Sequence, residues 1–201
     1  MNREKLLIKN TAIVSIGKIC TQLITFFLLP LYTAVLSTEE YGVVDLLNTL
    51  VGLFLPIVTL QIEQGVFRYL LDCRDNEKEQ KTIISSTVFF LIVQSIIYLV
   101  CFVIVSQWIH NDYKYFLAIN LIANIFSAVL LQISRGPGDN TSYAIGSFLS
   151  GAVTVILNVI FIVVFKMGAY GMLTATLIGN LLCSLYIIFR KKIYKSVSTK
   201  A

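Results

Sequence analysis

Charge is what this sequence has least of. Asp, Glu, Lys and Arg supply only 13% of 201 residues, and the one long interior stretch rich in them is Leu70 to Lys81. A soluble domain carries about a quarter charged residues, so a water-facing surface of ordinary extent is excluded. Histidine occurs once, at His110, and the four cysteines (Cys20, Cys73, Cys101, Cys183) lie far apart with no CxxC pair. That spacing offers neither a metal cage nor a disulfide framework, and three of the four thiols read as small apolar fillers. No GxSxG, HExxH or phosphate-binding glycine loop is present, so the sequence offers no catalytic centre and no cofactor site. Sixteen basic residues against 11 acidic ones give a net charge of +5. The basic residues do not interleave with aromatics as a nucleic-acid surface requires. The chemistry on offer is non-covalent.

Apolar residues are abundant instead: 57% of the chain, with a mean hydropathy of +0.81. They fall into six runs, at roughly 10–36, 42–68, 83–108, 115–134, 143–165 and 172–189. At about 1.5 Å per residue each is long enough, or nearly so, to cross a hydrocarbon core of roughly 30 Å. The first is too long for the core of a signal peptide and reads as an uncleaved helix. The sequence therefore predicts an all-α polytopic membrane protein, a single transmembrane lobe over 1–201 with six spans and a hydrophilic loop or short surface helix at 69–82. Thirteen of the 16 Lys and Arg fall on one side of that topology and two, Lys114 and Lys166, on the other. By the positive-inside rule both termini and the 69–82 loop are cytoplasmic.

Polar residues within the spans follow helical spacing. In the second, Asp45, Asn48, Gly52, Pro56, Thr59 and Glu63 recur every three or four residues and share one face. Lipid offers such a face no hydrogen bonds, so it meets other helices or a water-filled cavity. Lys18 and Gln22 lie on a stripe of the first span, Asn120 and Asn124 on one of the fourth, Asn158 on one of the fifth. For the amides two readings stay open: hydrogen bonds between packed helices, or the lining of a polar passage. Lys18 either snorkels to the interface or stays on the passage; Asp45 and Glu63 sit near opposite ends of their span with the same choice. Arg68 reads as interfacial, with Asp72 one turn on as partner. Pro30 and Pro56 lie inside spans, where each removes a backbone hydrogen bond and kinks its helix.

The segments LPIVTLQIEQGVFRY, SRGPGDNTSYAIGSFLSGAVTVILNVIFI and GAYGMLTATLIGN, with YG after the first span and FR after the second, resemble bacterial polysaccharide exporters. These are the Wzx-type flippases for lipid-linked oligosaccharides, in a superfamily shared with multidrug extruders. The resemblance implies one lobe of a two-lobe exporter fold in the bacterial inner membrane. It implies a polyprenyl-linked oligosaccharide as substrate, alternating access, and a proton or sodium ion as coupling ion. Carried onto this chain, Lys18 and Arg68 are the cationic candidates for the substrate's pyrophosphate, and Asp45 or Glu63 the ion sites. Six spans are about half what such exporters have, so the resemblance implies a missing carboxy-terminal lobe or a second copy. The same fold also serves multidrug/cation antiporters, and a non-transporting assembly subunit or truncated fragment would carry the same polar seams.

Overall fold

The computed structural model describes Ser15, Ile19, Gln22, Phe26, Leu29, Pro30 and residues 32–108 and 111–193. Every regular element among them is helical. The described positions of the leading segment are helical up to Val35, and the chain then passes through Ser37 into α1, Thr38–Thr59. The start of α1 is written in four residues. Ser37 Oγ accepts from the Glu40 amide (3.2 Å), while the Glu40 carboxylate accepts from the Ser37 amide (3.0 Å). This reciprocal capping box satisfies two helix-end donors and turns the acidic connection at 37–40 into a helix start.

Next come α2, Ile62–Asp72, and α3, Glu77–Ser106. α4 is Lys114–Arg135, and α5, Asn140–Val159, runs on into a π-turn at Ile160–Val164. α6 is Gly168–Lys191. Among the described residues five segments are long and apolar enough to cross a membrane: α1, α3, α4, α5 with its π-turn, and α6; most of the first expected span, 10–36, lies outside the described residues.

One expectation is corrected. The apolar run 42–68 is not one helix: it stops at Thr59, and Leu60 (φ 50°) and Gln61 (φ 54°) are both left-handed before α2 begins. Pro56 prepares the break by removing a backbone donor. Thr59 Oγ1 holds it, donating to the Leu55 carbonyl (2.9 Å) and accepting from the Gln61 amide (3.2 Å). Of the two readings of the hydrophilic stretch 69–82, helix prevails over most of it, as α2 runs to Asp72 and α3 starts at Glu77. Asn76 caps α3 by accepting from the Glu79 amide (3.3 Å), and Glu77 and Glu79 favour the positive end of its dipole.

α4 is the centre of the packing. Leu121, Ile125, Val129 and Ile133 are wholly buried along it, meeting Val66 and Leu70 of α2, Leu91 of α3 and Ile187 of α6. A second cluster unites Tyr32, Leu36, Val44, Leu47, Ile162, Ala169 and Leu173. α5 and α6 approach most closely at Gly179, where a methyl group would meet Thr154 Oγ1 and the Ser150 carbonyl. α3 is the reverse case: Ile92, Val93, Ile96, Val100 and Val103 are all exposed, a helix side made for lipid.

Candidate functional site

α1 presents two unlike flanks. Val44, Leu47 and Val51 are buried against the lobe, while Asp45, Asn48 and Gly52 are exposed. A Cβ added to Gly52 would meet nothing within 4 Å, so no described element covers this side. Neither Asp45 nor Asn48 has a hydrogen-bond partner among the described residues. A carboxylate and an amide left bare toward hydrocarbon would each be costly, so the flank calls for water, a ligand or further protein. Gln22 is likewise helical and exposed, and Pro30 is exposed in the same leading helix. Lys18 lies outside the described residues.

The same stripe changes character past the break. Thr59 is buried at 1% exposure, and Glu63, in the first turn of α2, at 8% with one carboxylate oxygen unpartnered. Arg68 is exposed on the same short helix and does not pair with Glu63 or Asp72, because the one ion pair among the described residues is Lys191–Asp139. A proline, two left-handed residues and a buried carboxylate thus fall within eight positions of a broken helix. Non-helical backbone at membrane depth occurs where protein or a cavity covers it.

The amides sort differently. Asn120 is buried and its side-chain amide donates to the Leu173 carbonyl (3.3 Å), tying α4 to α6. Asn158 is buried and donates to the Tyr32 hydroxyl (2.8 Å), tying α5 to the leading helix. Each keeps its own carbonyl oxygen unpartnered. Both therefore serve as contacts inside the lobe and do not share the exposed flank of α1. Asn124 is half-buried on α4, where its backbone carbonyl accepts from Ser127 Oγ. Sequence reasoning did not single out Tyr32, which has no periodic signal beside Pro30. Ser127 Oγ and Ser150 Oγ both donate to Asn180 Oδ1 (3.3 and 3.5 Å), joining α4 and α5 to α6.

At the far end of α4 the RGPGD turn is pinned by charge. Asp139 caps α5 through the Ser142 amide (3.0 Å) and hydroxyl (2.7 Å) and meets Lys191 at 2.8 Å. Burial raises its proton affinity, but the Lys191 ammonium and the two Ser142 bonds prevail and hold the carboxyl at about 2. Arg135 lies over the rings of Phe67 (4.6 Å) and Tyr143 (5.5 Å). On the other flank of α1, a lateral apolar cavity of about 400 Å³ separates it from α3, lined by Phe54, Ile57, Tyr98 and Phe102 among others. No group of acidic, histidine or cysteine side chains fit to hold a metal occurs among the described residues.

Residues 7–201 match a protein family described as polysaccharide biosynthesis protein. Among solved structures, the chain is similar to a multidrug resistance MATE family transporter of the MOP superfamily in an outward-facing conformation. The TM-score is 0.71 at 19% identity, over 95% of this chain and 45% of that one. It is similar also to a MATE in complex with MaD3S, with a TM-score of 0.73 at 17% identity, over 95% and 46%. At such identities the likeness shows the fold, one lobe of these transporters, and the chain spans about half their length. No curated protein matches the sequence.

Proposed function

The chain belongs to the polysaccharide biosynthesis protein family, and from that premise we propose that it is one lobe of an exporter that flips a lipid-linked oligosaccharide across the bacterial cytoplasmic membrane. It is a multi-pass membrane protein, and both termini are proposed to be cytoplasmic, with the polar flank of α1 lining a passage shared with a second lobe. The observation that carries this reading is the bare flank itself. Among the described residues Asp45, Asn48 and Gly52 have no cover, and the solved transporters that share the fold are about twice as long.

In this reading Gln22, Asp45 and Asn48 line the passage, with Lys18 and Arg68 as cationic contacts for the pyrophosphate. Glu63 or Asp45 takes the coupling ion, a proton or sodium. Asn124 stands at the edge of that surface, and Asn120 and Asn158 hold the lobe that forms it. The break at Leu60–Gln61 and the kinks at Pro30 and Pro56 provide the places where alternating access bends the helices. A multidrug or cation antiporter lobe is the second reading, favoured by the MATE likeness.

A strain lacking its oligosaccharide flippase tests the first. The chain is expressed alone, joined to a second copy, and joined to the coding sequence downstream of it. Surface polysaccharide restored by any of the three supports the reading. Failure of all three, with the protein inserted in the membrane, refutes it; drug resistance gained in that case selects the antiporter.

A further inference from the structure

We propose that the turn joining α4 to α5, residues 135–139, is a binding site for the phosphate group of a membrane lipid. Arg135 and Arg74 supply the contacts. Its position on the cytoplasmic face rests on the orientation proposed above; the site itself does not.

The argument begins with what Arg135 lacks. Its guanidinium is half-buried and held over the Phe67 and Tyr143 rings, contacts made through its charge and its flat faces. A guanidinium also carries five N–H donors. Among the described residues none of them has an acceptor and no carboxylate lies within ion-pair distance, since the one ion pair is Lys191–Asp139. The rings fix the cation in place and leave its hydrogen-bonding capacity unspent.

A second cation comes to the same turn. Arg74, in the connection between α2 and α3, packs on Gly138, where a Cβ would stand 2.8 Å from its Nη2 and 2.9 Å from its Cζ. Gly138 has φ +88°, a conformation that suits glycine, and its amide donates to the Arg135 carbonyl (2.8 Å). The turn that carries Arg135 is thus folded tightly enough to seat Arg74 three residues on. The one acid of the turn does not neutralise them, because Asp139 is committed to Lys191 and Ser142. Two guanidinium groups beside one turn, one of them clamped and neither paired among the described residues, call for an anion with several acceptor oxygens, and a phosphate is that ligand. The turn lies at the end of an apolar span, where lipid headgroups are found. Two sources share the chemistry: the phosphodiester of a bulk anionic lipid and the pyrophosphate of a polyprenyl-linked substrate.

The test is native mass spectrometry of the purified 201-residue chain with three added lipids: phosphatidylglycerol, a polyprenyl pyrophosphate, and diacylglycerol as a phosphate-free control. Arg135→Gln is expected to weaken phosphate-lipid binding about tenfold and Arg135→Lys by less, since the ammonium keeps charge without the planar fork. Arg74→Gln, at an exposed side chain, is expected to weaken it several-fold, with diacylglycerol retention unchanged throughout. Loss of both phosphate lipids supports a site that reads phosphate from either source. Selective loss of the pyrophosphate or of phosphatidylglycerol supports the site and names its source. Binding of both within twofold of the unsubstituted chain, or a matching loss of diacylglycerol, overturns the proposal. If Arg135→Gln fails to fold by circular dichroism, Arg74→Gln decides by the same criteria. No transport is required, so an export-negative result in the flippase-deficient strain leaves this outcome separate.

Discussion

Substituting Gln61 by glycine distinguishes a broken helix from a continuous one by the sign of a stability change. Gln61 is exposed with φ 54° and ψ 29°, directly after Leu60 at φ 50° and ψ 31°. A left-handed conformation costs an L-residue about 1–2 kcal/mol, and glycine adopts it without that cost. Glycine also gives the unfolded chain more freedom, which returns roughly 0.5–1 kcal/mol. The net gain is about 0.5–1 kcal/mol. The contacts that hold the break are untouched, because the 61 amide still donates to Thr59 Oγ1 and the 61 carbonyl still accepts from the Gln64 amide. In an uninterrupted helix across 42–68 the same change would cost about 0.5–1 kcal/mol through helix propensity alone. Thermal unfolding in detergent, followed by circular dichroism, measures the difference. A chain of this size shifts by about 2–4 °C per kcal/mol, so Gln61→Gly is expected to raise the midpoint by roughly 2 °C. A lowered midpoint refutes the left-handed pair and with it the hinge assigned to this position.

Gly179→Ala is expected to lower stability by about 1–3 kcal/mol, because the new methyl meets Thr154 Oγ1 and the Ser150 carbonyl across the closest helix pair; the same unfolding measurement reads it. Asp139→Asn removes the Lys191 pair and the charge of the cap, at a cost of about 1–2 kcal/mol after allowance for a side chain 32% exposed. Since the folded carboxyl titrates at about 2 against an ordinary 3.8, its contribution is fully present above about pH 3.8 and fades as pH falls toward 2. The unsubstituted chain and Asp139→Asn are therefore expected to converge in stability over that window, and a difference that persists unchanged at pH 2 contradicts the assignment. Asp45→Asn alters an exposed side chain, so it is expected to leave the melting midpoint within about 1 °C while reducing polysaccharide export in a flippase-deficient strain carrying a functional assembly. Full export by that variant removes Asp45 from the passage.

The described helices were largely legible because membrane helices are announced by continuous apolar length, and a turn such as RGPGD by glycine and proline. The break at Leu60–Gln61 was not. Neither residue is a glycine, and a window of hydropathy passes over two left-handed residues without a signal; only Pro56, one turn earlier, hinted at it. Asn76 and Ser37 show a related limit, as their capping bonds turn polar stretches that read as loops into helix starts. Periodicity found the polar stripes but not their depth. Asn48 and Asn158 look alike in sequence, yet one is exposed and the other is buried on Tyr32. Which side of a span meets protein is decided by the neighbours, and Tyr32 lies 126 residues away along the chain from its partner.

That division gives the lobe its logic. A membrane bundle gains little from burying apolar side chains that lipid would solvate equally well, so its helices are joined by small residues and hydrogen bonds. Here Gly179, Asn120, Asn158, Asn180 and their serine and tyrosine partners do that joining, and all involve α4, α5, α6 or the leading helix. Among the described residues Asp45 and Asn48 join nothing. Packing alone would favour leucine at both positions, because an exposed leucine loses nothing in lipid whereas an exposed carboxylate must reach the interface or water. A lobe that spends its other amides on helix contacts yet keeps these two bare has a reason outside its own stability. Under the two-lobe reading proposed above, water and a polar ligand passing between the lobes supply that reason.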